Sequence, residues 1–193
     1  MTIEIRQEDC RYVGTGKMSN DGGIDTYTTY FIPSLKLKVY LAGPITGRSY
    51  PEATARRNFY KAEFAMRGIE CLDPMRDTEA LRRRKKIREP YPEDEPLLQP
   101  QAIRGRDLND IERCDLILAD FEGTDRVSSN SMFELGYATR ARKSFLIVME
   151  DKGNPNDATF SNLSMVTRTD DKDEAVRLAC SILNVEYEVN SAE

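Results

Sequence analysis

Short runs of strand-forming residues alternate with segments of helical periodicity from residue 38 to residue 183. The predicted strands cover residues 38–43, 69–74, 115–121, 145–149 and 165–167, and the predicted helices cover residues 48–68, 106–113, 131–142 and 171–183. A strand, helix, strand repeat is typical of parallel sheets, because each right-handed crossover places a helix over the sheet. The alternation therefore predicts the α/β class, with a flavodoxin-like five-stranded parallel sheet in the order 2-1-3-4-5 and helices on both faces.

The strand order predicts where a ligand binds. In a sheet of this order the ligand crevice lies at the carboxyl ends of strands 1 and 3, where the winding reverses. Strand 1 ends at Gly43, and strand 3 ends at Asp120, before the loop that leads to Glu134. The topology therefore predicts that Glu134 and Tyr40, inside strand 1, face one crevice.

Glu134 has two interpretations from the sequence. Ser131 and Glu134 have the spacing of a capping box, in which the glutamate satisfies a backbone N–H at a helix start. Glu134 also lies at the predicted crevice, behind a hydroxyl-rich loop that contains Ser128 and Ser129. A helix N-terminus behind such a loop favours anions, because backbone N–H groups and serine hydroxyls bind phosphate.

The chain contains no histidine, so carboxylates and tyrosines are the candidate acid–base and nucleophilic groups. Asp107, on a predicted helix, and Asp120, at a strand end, are each either a surface residue or a site residue. Tyr40 is either a core residue or the partner of a crevice carboxylate, since a buried hydroxyl needs a partner. Arg48, in the first loop, is placed to reach an anionic ligand.

The composition argues against several classes of protein. Of the 193 residues, 39% are hydrophobic and 32% are charged, which is typical of soluble globular domains. No apolar stretch approaches the roughly 18–20 residues of a membrane span, and the N-terminus lacks the form of a signal peptide. The net charge of −5 argues against binding to a nucleic acid polymer. The cysteines are far apart and lack histidine partners, which argues against a metal site and favours reduced thiols in the cytoplasm.

Two segments lie outside the alternating pattern. Residues 1–37 form an N-terminal extension with strand-forming residues at 24–32, which are compatible with pairing to a sheet edge, to a partner subunit or in a β-hairpin. Residues 38–193 form the α/β domain, in which residues 75–101 are an insertion of the kind that forms a lid. A basic run at 82–88 in this insertion is either a phosphate clamp or a solvated face.

Three segments carry most of the candidate residues: 38–47 with Tyr40 and Gly43-Pro44, 106–115 with Asp107, and 128–138 with Glu134. Together they resemble the nucleoside 2-deoxyribosyltransferase family. The resemblance extends from about residue 38 to the C-terminus. It does not include residues 1–37, and it covers the 75–101 insertion poorly.

The resemblance implies cleavage of the N-glycosidic bond between a base and 2-deoxyribose. Glu134 matches the family's nucleophile, which forms a covalent deoxyribosyl-enzyme. Tyr40 matches the tyrosine that holds this carboxylate, and Asp107 matches the carboxyl group that protonates the departing base. No cofactor or metal is implied, and members of the family are typically homo-oligomers. The candidate substrate-binding residues are Gly43, Arg48, Asp120, Ser128, Ser129 and Ser131.

Ser128 departs from the transferases, which often have an aspartate at this position. A serine resembles the related deoxynucleoside 5′-monophosphate N-glycosidases, which use it to bind the phosphate. A carboxylate repels a phosphate, whereas a hydroxyl does not. Three alternatives therefore stay open: a transferase that acts on deoxynucleosides, a hydrolase that acts on deoxynucleotides, and a non-catalytic nucleotide-binding module on the same fold.

Overall fold

The computed structural model describes residues 12–20, 23–30, 36–150, 152–157 and 166–185. The chain divides into two units, Met1–Lys36 and Leu37–Glu193. In the first unit, strand β1 (Tyr12–Asn20) pairs with strand β2 (Gly23–Tyr30) in an antiparallel hairpin. The strand-forming segment 24–32 overlaps β2, and its last two residues lie outside the described part of the chain.

The second unit contains a parallel sheet of five strands. They are β3 (Lys38–Ala42), β4 (Glu70–Leu72), β5 (Leu116–Asp120), β6 (Ser144–Val148) and β7 (Val166–Thr169). Their order in the sheet is β4-β3-β5-β6-β7, and every neighbouring pair is parallel. This is the order 2-1-3-4-5 in chain sequence, so the predicted flavodoxin-like fold is confirmed.

Helices cover both faces of this sheet, as predicted. They are α1 (Tyr50–Ala65), α2 (Pro100–Arg113), α3 (Ser129–Arg140) and α4 (Lys172–Ile182). Because successive strand residues point to opposite faces, Leu118 of β5 packs with Tyr60 of α1, and Ile117 packs with Ile111 of α2 and Leu135 of α3. Among the helices described, none has the length and apolar character needed to cross a membrane.

The positions at which the helices start decide whether Glu134 is a capping residue. Ser49 and Glu52 form a capping box at the start of α1, with Ser49 N donating to Glu52 Oε2 at 2.7 Å. The predicted start of α3 at Ser131 is wrong, because this helix begins at residue 129 and its N-cap is Ser128. The Ser131 backbone N–H donates to Ser128 Oγ at 3.1 Å. Glu134 therefore lies in the second turn of α3, where it has no part in capping.

The segment between β4 and α2, residues 75–99, is packed against the domain, and we call it the roof segment. It contains short 3-10 helices at Glu79–Arg83 and Pro96–Leu98. Its side chains Leu81, Ile87 and Leu98 are buried in one apolar cluster. The last two residues of the predicted insertion, 100 and 101, belong instead to α2.

Backbone hydrogen bonds attach the roof segment to the loop between β3 and α1. Gly47 N donates to Ile87 O at 2.8 Å, and Ile87 N donates to Arg48 O at 2.8 Å. These bonds and the buried Ile87 side chain hold the middle of the segment next to the carboxyl end of β3. The roof segment therefore forms a wall beside the predicted crevice.

The carboxyl ends of β3 and β5 lie close together at Gly43. This residue has a φ of 152°, and a Cβ atom placed on it would lie 2.8 Å from the backbone oxygen of Asp120. Side chains rarely adopt this φ, and the contact is with backbone that cannot rotate away. Only glycine therefore fits where the two strand ends meet.

We expect Gly43→Ala to lower the free energy of unfolding by about 1–3 kcal/mol, because the methyl group adds both overlap and backbone strain. Gly136→Ala is the matched control, since this glycine lies in α3 with no atom within 4 Å of its added Cβ. Alanine there should raise the free energy of unfolding by about 0.5–1 kcal/mol. Urea denaturation measures both changes. Equal effects of the two substitutions would contradict the close approach.

Candidate active site

An open crevice beside the carboxyl end of β3 encloses about 630 Å³ of space, part of it continuous with solvent. A second cavity, of about 550 Å³, adjoins it. Both are lined by Asp107 of α2 and Glu134 of α3, together with Tyr91, Ile103 and Asn130. The two cavities are therefore lobes of one crevice, which meet at the two carboxyl groups.

The walls of the first lobe differ in polarity. The start of α3 contributes a polar wall, formed by Ser128, Asn130 and Ser131. The roof segment and the loop after β3 contribute an apolar wall, formed by Ile45, Met75, Leu81 and Ile87. The first lobe therefore suits a ligand with one polar and one apolar part.

Glu134 faces this crevice from the second turn of α3. Burial of its side chain raises the pKa of the carboxyl group to about 7, and the negative charge of Asp107 acts in the same direction. Tyr40 and Arg57 oppose the rise in this pKa by favouring the ionised form. Near neutral pH the group therefore exchanges readily between its acid and its carboxylate.

Asp107 projects from α2 and is only 5% exposed. Burial raises the pKa of this carboxyl group to about 6, against the influence of Arg106, whose Nε lies 3.4 Å from Oδ1. Because each negative charge disfavours the other, Asp107 and Glu134 titrate as a pair. Between about pH 6 and pH 7 the pair holds close to one proton.

Tyr40 lies beneath the pair, on β3, and is fully buried. Its burial and the charges of Glu134 and Asp107 raise the pKa of the phenol well above its usual value. Within the described residues the hydroxyl has no acceptor at full hydrogen-bond geometry. The phenol therefore stays protonated and has a proton to donate to the Glu134 carboxylate.

The structure brings only some of the predicted substrate-binding residues to this crevice. Gly43, Ser128 and Ser131 line the first lobe. The hydroxyls of Ser128 and Ser131 lie 3.0 Å apart, so they form one polar surface at the start of α3. Ser129 is exposed, and it is not among the residues that line either lobe.

Asp120 and Arg48 do not line either lobe of the crevice. The Asp120 carboxylate accepts a hydrogen bond from Tyr60 Oη at 3.0 Å and pairs with Arg56, both on α1. Arg48 Nη2 donates to Gly123 O at 3.4 Å. Both residues line a separate depression of about 430 Å³, which borders the crevice only at Gly43.

The alternation of side chains along β5 explains the position of Asp120. Ile117 and Ala119 point to the face that α2 and α3 cover, together with Tyr40. Leu118 points to the face that α1 covers, and Asp120 follows it by two residues. Asp120, the last residue of β5, and Glu134, which follows β5 in the chain, therefore lie on opposite faces of the sheet.

Sequence reasoning missed the residues that the roof segment and the start of α2 supply. Tyr91 and Ile103 line both lobes, and Leu81 and Ile87 line the first. The sequence signal for these residues was Leu81 and Ile87, the two apolar residues that flank the basic residues 82–86. Such residues in a charged segment indicate that it packs against the domain, and that its basic side chains stand outward.

The carboxyl groups of Asp107 and Glu134 and the phenol of Tyr91 thus line the crevice, and the buried phenol of Tyr40 interacts with Glu134. They can supply a nucleophile, an acid and a hydrogen-bond donor. Across the described ranges, no group of three or more histidine, cysteine, aspartate or glutamate side chains is placed to hold a metal ion. The chemistry that the geometry supports is therefore that of a carboxylate nucleophile with a carboxylic acid beside it.

The chain matches the model of a protein family. A family model described as nucleoside 2-deoxyribosyltransferase matches residues 39–178, which include β3 and both carboxyl groups of the crevice. A search of curated protein sequences finds no significant match.

Several solved structures are similar to the chain. A CMP N-glycosidase from Clostridium botulinum is 16% identical, with 74% of this chain and 97% of that chain covered and a TM-score of 0.48. A 2-desoxiribosyltransferase from Leishmania mexicana is 21% identical, with 65% of this chain and 71% of that chain covered and a TM-score of 0.43. A molybdenum cofactor binding protein from Rippkaea orientalis is 15% identical, with 78% and 99% covered and a TM-score of 0.50. At such identities, the likeness concerns the fold alone.

We expect Glu134→Gln to raise the free energy of unfolding at pH 8 by about 1–3 kcal/mol. The wild-type carboxyl group has a pKa of about 7 when folded and 4.5 as a free side chain, so its ionisation opposes folding. Stability relative to the variant therefore falls as the pH rises from about 4.5 to about 7, and the two proteins converge below that range. Denaturation curves between pH 4 and pH 8 measure the difference.

Glu63→Gln is the control for this prediction. Glu63 lies on α1 and pairs with Arg67 at 2.9 Å, outside the crevice. This substitution should give no gain in stability at pH 8. A loss of stability in Glu134→Gln at pH 8 would assign Glu134 a structural role instead.

Proposed function

Because the chain belongs to the nucleoside 2-deoxyribosyltransferase family, we propose that it cleaves the N-glycosidic bond of 2′-deoxynucleosides and transfers the 2-deoxyribosyl group to another base. Members of this family are glycosyltransferases or N-glycosidases that act on small nucleosides or nucleotides. The observation that carries the proposal is the pair of carboxyl groups, Asp107 and Glu134, at the junction of the two lobes.

In the first step, a Glu134 carboxylate oxygen attacks C1′ of the sugar. The bond between C1′ and the base nitrogen breaks, and Asp107 gives its proton to the departing base. The transition state has the character of an oxocarbenium ion, which the negative charge of Glu134 stabilises. The product of this step is an ester between Glu134 and the sugar, with Asp107 now ionised.

In the second step, the nitrogen of an acceptor base attacks C1′ and displaces Glu134. Asp107 takes up the proton that this nitrogen releases, which restores the starting protonation of the pair. Two displacements at C1′ give net retention of configuration. Water as the acceptor would give hydrolysis by the same steps.

The electrostatics of the crevice support a single proton shared by the two carboxyl groups. The first step needs one ionised and one protonated carboxyl group, which is the state that the coupled pair adopts between about pH 6 and pH 7. Tyr40 favours ionised Glu134, because its protonated hydroxyl lies beside that carboxylate. Glu134, whose pKa is the higher of the two, nevertheless holds that proton in the free crevice, so the proposed first step requires the transfer of this proton to Asp107 when substrate binds.

A second candidate is hydrolysis of 2′-deoxynucleoside 5′-monophosphates, and the position of Ser128 favours it. This residue caps α3 and lines the polar wall, so a hydroxyl stands at the helix N-terminus. A phosphate there would meet the Ser128 and Ser131 hydroxyls and the positive end of the helix dipole. Arg48, which lies in the separate depression, has no part in this arrangement.

The proposal is tested by incubating the protein with a panel of 2′-deoxynucleosides and their 5′-monophosphates, each with and without a second free base. We expect base exchange on the nucleosides, measured by chromatography, and a deoxyribosyl adduct on the peptide that contains Glu134, measured by mass spectrometry. Glu134→Gln should lower turnover by about a thousandfold or more, because the nucleophile is lost.

The other outcomes of the panel are equally distinct. Base release from monophosphates only, without exchange, would replace the transferase by the hydrolase. Binding of nucleotides with no turnover would assign the chain a sensing function. Full activity in Glu134→Gln would contradict the covalent mechanism for either enzyme.

The Ser128→Asp substitution distinguishes a transferase that acts on nucleosides from a hydrolase that acts on monophosphates. Aspartate caps a helix as well as serine does, so α3 should remain intact. Its charge should weaken binding of a monophosphate about tenfold or more, as an increase in KM, and change nucleoside use much less. Ser128→Thr, which keeps both the cap and the hydroxyl, is the control. An equal loss with nucleosides and monophosphates would argue against phosphate binding at the polar wall.

A further inference from the structure

Arg106 precedes Asp107 in α2, and the reaction described above does not use it. Its Nε donates to Asp107 Oδ1 at 3.4 Å. Side chains of consecutive helix residues point about 100° apart, so this contact forms only when the guanidinium group is turned toward its neighbour. Only 17% of the Arg106 side chain is exposed. The arginine therefore lies within the wall of the domain and does not extend into solvent.

Two backbone carbonyl groups in the turn after β4 fix the direction of the guanidinium group. Arg106 Nη2 donates to Pro74 O at 2.6 Å, and Nη1 donates to Arg76 O at 3.0 Å. Pro74 lines the first lobe, as Asp107 does. All three nitrogens of the planar guanidinium group thus have acceptors, which leaves the group one orientation.

The turn after β4 is itself attached to α2. The Arg76 guanidinium group pairs with the Asp110 carboxylate of α2, and Asp110 is fully buried. One arginine therefore crosses from α2 to this turn, and another crosses back. The carbonyl groups that accept from Arg106 are in this way held at a fixed distance from Asp107.

The two carboxylate oxygens of Asp107 differ in their surroundings. Oδ1 accepts the hydrogen bond from Arg106, whereas Oδ2 makes no hydrogen bond within the part of the chain that the structure describes. Because Asp107 lines both lobes, Oδ2 is the oxygen left for a ligand. A guanidinium group has donors and no acceptor, so a proton on Oδ1 could not lie toward it. Protonation of Asp107 is therefore favoured at Oδ2.

We propose that Arg106 is a positioning residue for the acid: by occupying Oδ1 of Asp107, it directs the proton to Oδ2, the oxygen available to the departing base. This inference rests on the proposed function, in which Asp107 protonates the base. The contact between Arg106 and Asp107 can nevertheless be tested without any substrate.

Charged and titratable groups act on Asp107 from every neighbouring element. Burial and Asp110 raise the pKa of the Asp107 carboxyl group, whereas Arg106 and Arg76 lower it. The other such groups that interact with Asp107 or share its crevice are Tyr40 of β3, Glu134 of α3, Glu89 of the roof segment and Arg104 of α2. Because Arg106 donates directly to the carboxylate, its removal should have a clear effect on the titration of Asp107.

The first experiment follows the Asp107 carboxyl carbon by NMR in protein labelled with ¹³C-aspartate, with Asp107→Asn to assign the signal. Arg106→Met should move the apparent midpoint of the Asp107 titration upward by about one pH unit, because both a donor and a positive charge are lost. Arg106→Lys keeps the charge but loses the fork of donors, so the midpoint should move less than in Arg106→Met.

The second experiment compares two 2′-deoxynucleosides, one with an unmodified base and one whose base carries an electron-withdrawing substituent and leaves more readily. Arg106→Met should lower kcat about tenfold or more for the unmodified base and much less for the substituted base, which needs less protonation. The loss should occur although Asp107 is more readily protonated in this variant. This opposition separates the orientation of the acid from its charge.

A double variant tests whether Arg106 acts through Asp107. Arg106→Met combined with Asp107→Asn should be no slower than Asp107→Asn alone, because the acid that Arg106 orients is already absent. If Arg106→Met fails to fold because two backbone carbonyl groups lose their donor, Arg106→Gln replaces it with the same expectations, since its amide still donates but carries no charge.

Arg113→Met is the matched control. Arg113 lies on the same helix, and its Nη2 contacts Asp110 Oδ1 at 2.7 Å, away from the residues that line the two lobes. Its loss should leave unchanged both the Asp107 midpoint and the ratio of kcat between the two bases. A shift in Arg113→Met as large as in Arg106→Met would overturn the inference.

An Asp107 midpoint that does not change in Arg106→Met would also overturn it, because the arginine would then not contact the carboxylate in solution. An equal loss of kcat with the two bases would do the same, since a purely structural defect does not depend on the leaving group. A shifted midpoint without turnover on the substrate panel would support the contact, and the failure would then concern the proposed function alone.

Discussion

The mutual repulsion of Asp107 and Glu134 is the constraint on which the site depends. Both carboxyl groups are largely buried and line the same crevice, so the ionisation of one disfavours the ionisation of the other. A pair of this kind retains a proton near neutral pH. In the proposed reaction, a chain without histidine would thereby obtain an acid and a nucleophile from two carboxyl groups.

Side chains from both faces of the sheet meet at the end of β3. Tyr40 reaches Glu134 from the face that α2 and α3 cover, and Arg57 reaches the strand end from the face that α1 covers. The close approach of Gly43 to the backbone of Asp120 leaves no room for a side chain between the two faces. The Arg57 guanidinium group thus contacts this strand end without lining the crevice.

Sequence periodicity was sufficient for the strand order and the two-faced helix packing, because both follow from residue alternation and right-handed crossovers. It was insufficient at Asp120, because the strand end was predicted but the sheet face to which this side chain points was not. The alternation of Leu118 and Ala119 between the two faces would have decided it. It also misplaced the start of α3. Ser128 and Ser131 are both good caps by residue type, and only the backbone dihedral angles of residue 128 distinguish them.

The different polarity of the crevice walls limits how a nucleoside or nucleotide would lie in it. The sugar is the polar part of such a ligand, and it fits the serine hydroxyls at the start of α3. The base is flat and more apolar, and it fits the isoleucine side chains of the apolar wall. The bond between the two parts would then lie near Asp107 and Glu134, where the lobes meet. Under the proposed function, the wall at Ser128 would decide whether a 5′-phosphate is accepted, and the carboxyl pair would carry out the reaction. A change of substrate within this fold therefore requires no change in the chemistry.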